Sequence, residues 1–312
     1  MRWVKLPRMA RIIYIPGKNP KPPAPQHRAQ LWRCLLEGVR RVNPEVAAEM
    51  AEKPDCFRLA AWNRDYYKEE VDDRDEQPWV DVLLERTGPT AQDIDEARRW
   101  PTRLASLAYS IADLFPSLIP LFADEATRST IEETNRYFSN LGGSAEIIHA
   151  HVIEALEDAF AAGEPVLLIG HSLGSVIAWN TLWLMTHERG VRHKVDLLLT
   201  LGSPLGIRFV QERLLGRDHI GATRYPGCLR EWVNVAAVGD LTALDGTMAD
   251  DFQEMVELGL VENISDHFGR IYNYFRSDEG LNPHHSYGYL VNSVVAQLVA
   301  EWWYRHHGPS LA

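Results

Sequence analysis

Pro165-Val166-Leu167-Leu168-Ile169-Gly170-His171-Ser172-Leu173-Gly174-Ser175 is the stretch that decides the reading of this chain. An apolar run of strand length stops at a Gly-x-Ser-x-Gly pentapeptide, and residues 173–187 continue with helical character. A strand entering such a turn and a helix leaving it pass too close for side chains at 170 and 174, hence the two glycines. The serine between them must take a strained, positive-φ backbone, which leaves its hydroxyl exposed at a sharp corner. The pattern predicts a nucleophile elbow. The competing reading is a tight strand-to-helix turn that needs only small residues.

Outward from this corner, apolar runs at 11–15, 56–62, 195–201 and 231–238 read as further strands. Helical spacing covers 26–42 (Leu31, Leu35, Val39 and Val42 on one side), 145–162 and a last long helix at 286–306. Residues 206–229 have loop and short-helix character, and 244–276 are ambiguous between helix and strand. Strands alternating with helices predict an α/β fold: a mostly parallel central sheet covered by helices on both faces. Residues 65–140 break the rhythm, being first acidic, then apolar and helical between Leu104 and Phe122, then polar. They read as an inserted helical cap, which divides the chain into 1–64 and 141–312 as core and 65–140 as cap or lid. Ligands of open parallel sheets bind beyond the carboxyl ends of the strands. Pro16-Gly17, Ser172, Gly202-Ser203 and Asp240 all fall at such ends.

The composition of the 312 residues is that of a folded globular protein, and the formal net charge of −11 argues against nucleic acid or an anionic membrane surface as main partner. Cys34, Cys56 and Cys228 are odd in number and lack disulfide or metal-knuckle spacing, so they read as free thiols in a reducing, cytoplasmic compartment. The basic N-terminal residues lack an apolar signal-peptide core. The 104–122 stretch is interrupted by Asp113, Pro116 and Pro120, which argues against a membrane span. With neither His-Glu-x-x-His nor paired Cys-x-x-Cys, no metal site is expected.

A serine hydroxyl is a poor nucleophile at neutral pH and needs a base, which in turn needs an orienting acid. The chain order expected around a Gly-x-Ser-x-Gly turn is serine, acid, histidine. Asp240, after the 231–238 strand, fits the acid, whereas Asp196 begins a strand and lies at the wrong end of the sheet. The base belongs in the loop before the last helix, where His284 and His285 are both candidates, with His267 as an outsider. The oxyanion donors are expected at the Leu173 amide and at Gly17 or Lys18. His171 should pack beside the elbow. His149 and His151 lie on the 145–162 helix without acidic residues at ligand spacing, and His306 and His307 read as a solvated tail.

Gly170-His171-Ser172-Leu173-Gly174, Gly202-Ser203-Pro204, Val238-Gly239-Asp240 and His284-x-x-Tyr287 together resemble the α/β-hydrolase-fold serine hydrolases of the lipase and esterase kind. The likeness covers residues 11–17 and about 145–306. It departs at Pro16-Gly17, where many relatives carry His-Gly, and the double histidine leaves the register of the base open. The resemblance implies cofactor-free hydrolysis of a carboxylic ester through an acyl-enzyme, with a small, apolar ester as partner. A histidine followed three residues later by an aromatic favours His284 as base, with His285 second. Acyl transfer, thioester hydrolysis and peptide cleavage use the same triad, and an inactive hydrolase-fold binding module is the rival of another class. The likeness does not cover the 65–140 insert, whose apolar 104–122 stretch reads either as a cover that binds an acyl chain or other apolar group or as a buried structural helix.

Overall fold

The computed structural model describes residues 10–72, 74, 76–99, 137–140, 143–240, 242–243 and 246–307. Six parallel strands form the sheet in the order β2-β1-β3-β4-β5-β6, where β1 is Arg11–Ile15, β2 Phe57–Leu59, β3 Val166–His171, β4 Val195–Leu201, β5 Leu229–Val235 and β6 Asn263–His267. The central strands are rich in Ile, Leu and Val because both of their faces are covered. Alternate residues point to opposite faces, so Ile12, Tyr14, Leu167 and Ile169 enter one core and Ile13, Ile15, Val166 and Leu168 the other.

Helices α1 (Ala24–Val42), α2 (Pro44–Ala51), α4 (Gln77–Glu85) and the C-terminal helix cover the first face. α3 (Asn63–Tyr67), α6 (Ser144–Ala161) and α7 (Leu173–His187) cover the second. α7 is apolar on nearly every side and correspondingly buried. The chain leaves β1 toward β2 on one side and returns to β3 on the other. The order therefore reverses between β1 and β3, the place where open α/β sheets open a ligand crevice.

Several expectations change. The 56–62 strand is only Phe57–Leu59, because Trp62 N–H turns back onto the Ala60 carbonyl and α3 begins at Asn63. The 231–238 strand ends at Val235. The ambiguous 244–276 region holds the short helices α9 (Met248–Asp251) and α10 (Gln253–Glu257) and the edge strand β6, while α8 (Arg208–Gln211) occupies part of 206–229. The 286–306 helix is two, α11 (Ser286–Leu290) and α12 (Ser293–His307). Asn292 divides them by accepting the Val294 N–H with its own side chain. His306 and His307 are not a solvated tail: their rings lie 5.1 Å from Trp302 and 4.0 Å from Trp303 on α12.

Within 65–140, α4 and α5 (Ala91–Ala97) are helical, and α4 sends Val80 and Leu83 into the core beside α1. The Leu104–Phe122 segment lies outside the described residues. No helix among the described residues is long and apolar enough to cross a membrane.

Candidate functional site

Ser172 sits between β3 and α7 at φ 54° and ψ −126°, a conformation that an L-residue holds only where its surroundings force it. The forcing is local. A Cβ on Gly170 would stand 2.8 Å from Ser175 Cα, and one on Gly174 would fall on the Ile15 carbonyl oxygen. Ser172 N–H donates to the Leu201 carbonyl (2.9 Å). A directed hydroxyl chain holds the other side of the turn. Ser175 Oγ–H donates to the Ser172 carbonyl (2.6 Å), so Ser203 must supply the proton between Ser203 Oγ and Ser175 Oγ (2.7 Å). Ser203 in turn accepts Leu205 N–H (3.2 Å).

The register His171↔Leu201 sets Ser172 opposite Gly202, about 4.8 Å away across the sheet. Gly202 has φ 55°, and a Cβ there would lie 2.6 Å from Asp240 Oδ2 and 3.0 Å from His284 Nδ1. The acid and the histidine therefore pack against the residue beside the serine. Asp240 is five residues beyond β5 and buried. Its two oxygens lie 2.9 Å from His284 Nδ1. A carboxylate only accepts, so Nδ1 carries the proton and Nε2 is left as the basic nitrogen. Nε2 lies 3.5 Å from Thr242 Oγ1, and no hydrogen bond joins it to Ser172 Oγ among the described residues.

The two adjacent histidines separate cleanly. His285 turns away, stacks on Phe275 (3.7 Å between centroids) and reaches Glu76 Oε1 at 3.4 Å. Burial lowers its pKa. His267 ends the edge strand β6, away from this pair. His171 packs 4.8 Å from the His284 ring and donates Nε2–H to the His284 carbonyl (2.8 Å). Burial and then the His284 charge hold its pKa far down, so it stays neutral.

Leu173 heads α7, and its N–H is one of the unpaired donors of the first turn. Gly17 follows β1, and a Cβ on it would stand 2.9 Å from Ser172 Cβ and 3.1 Å from His171 Nδ1. Glycine is needed here for close approach. Lys18 is the next residue of that loop and is half-buried.

Tyr289 is part of the site although the sequence reading gave it no role. Its hydroxyl donates to Asp240 Oδ2 (2.5 Å) and accepts Ala237 N–H (2.9 Å). Burial and the Asp240 charge push its pKa well up, which keeps the phenol a donor. The signal in the sequence was a tyrosine among the core-facing residues of a helix, where a hydroxyl needs a partner. Tyr287, the aromatic of the His-x-x-Tyr pattern, lies in the core with Phe275 and His285 instead. His149 is buried and bonds Tyr137 Oη (2.8 Å), which also accepts Asn180 Nδ2–H from α7, while the half-buried His151 bonds Asp65 (2.8 Å). No group of three or more metal-ligating side chains occurs among the described residues.

The assembled groups can do one kind of chemistry well. A strained hydroxyl, an oriented imidazole, a buried carboxylate and free helix-terminal N–H groups converge at the sheet's carboxyl end. Comparison of the chain with protein-family models, with curated proteins and with solved structures found no match.

Proposed function

We propose that this chain is a serine hydrolase of the α/β-hydrolase kind that cleaves carboxylic esters with Ser172, His284 and Asp240. The observation that carries the reading is the backbone of Ser172, held at φ 54° one strand away from Gly202, against which the Asp240–His284 pair packs. Strain of about 1–3 kcal/mol at one serine is hard to explain as a turn alone. In the proposed reaction His284 Nε2 takes the Ser172 proton as Oγ bonds the ester carbonyl carbon. The carbonyl electron pair moves to oxygen, where the Leu173 amide and the Gly17 or Lys18 amide receive the charge. Collapse re-forms the carbonyl and breaks the bond to the alcohol, which leaves with the proton from His284. Water repeats the sequence on the acyl-enzyme and frees the acid. The step requires His284 Nε2 within hydrogen-bond reach of Ser172 Oγ at the moment of attack.

Acyl transfer, thioester hydrolysis or peptide cleavage would proceed by the same steps with another acceptor or leaving group. The inactive binding-module reading is disfavoured by the intact Asp240–His284 pairing. The three buried, unpaired cysteines support a reducing, cytoplasmic setting. A panel of p-nitrophenyl esters of increasing acyl length tests the reading. Turnover is expected in the wild type and the His285→Ala variant and should be lost in His284→Ala. Absence of turnover on every ester, or equal turnover in His284→Ala, would overturn it.

A further inference from the structure

The two side chains that follow β2 grip the carbonyls of the loop that follows β1. Trp62 Nε1–H donates to the Pro16 carbonyl (3.0 Å). Asn63 Nδ2 donates to the Gly17 carbonyl (2.8 Å) and to the Asn19 carbonyl (3.0 Å). Both side chains are buried, Trp62 fully and Asn63 all but 2%. Every peptide bond here is trans, so each N–H points opposite to the carbonyl of the preceding residue. Tying the Pro16 carbonyl toward Trp62 turns Gly17 N–H the other way, and tying the Gly17 carbonyl toward Asn63 does the same to Lys18 N–H. Gly17 faces the elbow, since a Cβ on it would stand 2.9 Å from Ser172 Cβ, and the Pro16 carbonyl oxygen lies 2.8 Å from where a Cβ on Gly174 would stand.

We propose that Trp62 and Asn63 are positioning residues that fix the peptide planes of the Pro16–Lys18 loop and so set the Lys18 amide toward the oxygen of a substrate bound at Ser172. The inference rests on the hydrolase reading and adds residues to it that touch neither substrate nor the serine. A second detail agrees. Asn63 Oδ1 is buried without a hydrogen-bond partner, so this amide is held for its two N–H donors alone. A leucine-sized apolar residue would fill the space without an orphan acceptor. Asn63 therefore carries a polarity cost that packing does not require. It also explains how a Pro16-Gly17 loop keeps its peptide planes. Pro16 has no N–H of its own, so the loop cannot be fixed by a bond at that point, and the grip comes from the carbonyl side.

Asn63→Asp is the sharpest test. It keeps the shape but sets a carboxylate against two carbonyl oxygens, in place of two donors. Trp62→Phe, which removes the indole N–H together with part of the fused ring but keeps an aromatic in the buried site, is the milder companion and covers the case in which Asn63→Asp does not fold. The probes are a p-nitrophenyl ester for kcat and KM and a trifluoromethyl ketone, whose adduct with Ser172 bears the same oxyanion. Asn63→Asp should lower kcat on the order of 100-fold, the typical cost of a lost oxyanion donor, with KM within about threefold. Trp62→Phe should lower it about tenfold. Ketone affinity should weaken by the same factors, a readout that general loosening of the fold would not reproduce while KM holds. Unchanged kcat, or reduced kcat with unchanged ketone affinity, would overturn the inference. A wild type that neither turns over esters nor binds the ketone would instead sink the hydrolase reading, and this inference with it.

Discussion

Deleting one oxygen, in Tyr289→Phe, isolates the bond that anchors Asp240. The ring is fully buried, so phenylalanine keeps its packing and loses only the hydroxyl. That hydroxyl makes a 2.5 Å bond to Asp240 Oδ2 and accepts Ala237 N–H at 2.9 Å. A hydrogen bond to a charged group contributes about 1.5–3 kcal/mol, and an unpaired buried N–H adds roughly 1 kcal/mol. The variant should therefore lose about 2–4 kcal/mol of stability near neutral pH. Urea unfolding of four chains measures this: wild type, Tyr289→Phe, Asp240→Asn and the double variant. Asparagine offers a neutral acceptor, and charge-assisted bonds are about twice as strong as neutral ones. The Tyr289→Phe cost should accordingly fall by about 1 kcal/mol or more in the Asp240→Asn background. A cost under about 0.5 kcal/mol, or the same cost in both backgrounds at unchanged m-value, would refute the anchoring argument.

Gly202→Ala should cost about 1–3 kcal/mol for its left-handed backbone and should displace Asp240, whose Oδ2 would meet the new methyl at 2.6 Å. Unchanged stability, together with an unchanged downfield proton resonance of His284 Nδ1–H, would contradict the packing. Ser172→Gly relieves the φ 54° strain and should leave the protein as stable as the wild type or about 1 kcal/mol more so, while abolishing turnover. A clear loss of stability in denaturant unfolding would speak against stored strain. Burial holds the His149 pKa down to about 4 from 6.5, against a small opposing pull from Glu146. The unfolded chain thus takes up a proton that the folded one refuses, and stability is lost as pH falls from 6.5 to 4. The contribution is on the order of 3 kcal/mol, and His149→Gln should flatten the pH profile of urea midpoints across that window. A profile of unaltered slope would count against it.

The central strands were legible because β1, β3 and β4 are apolar on both faces and end at glycines. β6 was not, since Asn-Ile-Ser-Asp-His on a sheet edge has neither an apolar run nor clean alternation. The break at Asn292 was hidden as well. Leu290, Val294 and Leu298 keep helical spacing across it, and the Asn292 side chain, accepting Val294 N–H, divides the helix. Of the candidate site, Ser172 with its flanking Gly170 and Gly174 could be read from local steric need, and Gly17 and Gly202 only from their place at strand ends. The register of the histidine could not, because His284 and His285 are separated by what they meet in space: Asp240 in one case, Phe275 and Glu76 in the other. Tyr289, Trp62 and Asn63 escaped notice for the same reason. Their partners lie 40 to 50 positions away in the chain and carry no local pattern.

Reaction with a fluorophosphonate, followed by intact-mass and peptide mapping, bears most directly on the claim that Ser172 is an activated nucleophile. The account predicts a single covalent adduct per chain, on the peptide that contains Ser172, with none in Ser172→Ala and a sharply slowed reaction in His284→Ala. A wild-type chain that stays unmodified, or an adduct that persists in Ser172→Ala, would contradict it.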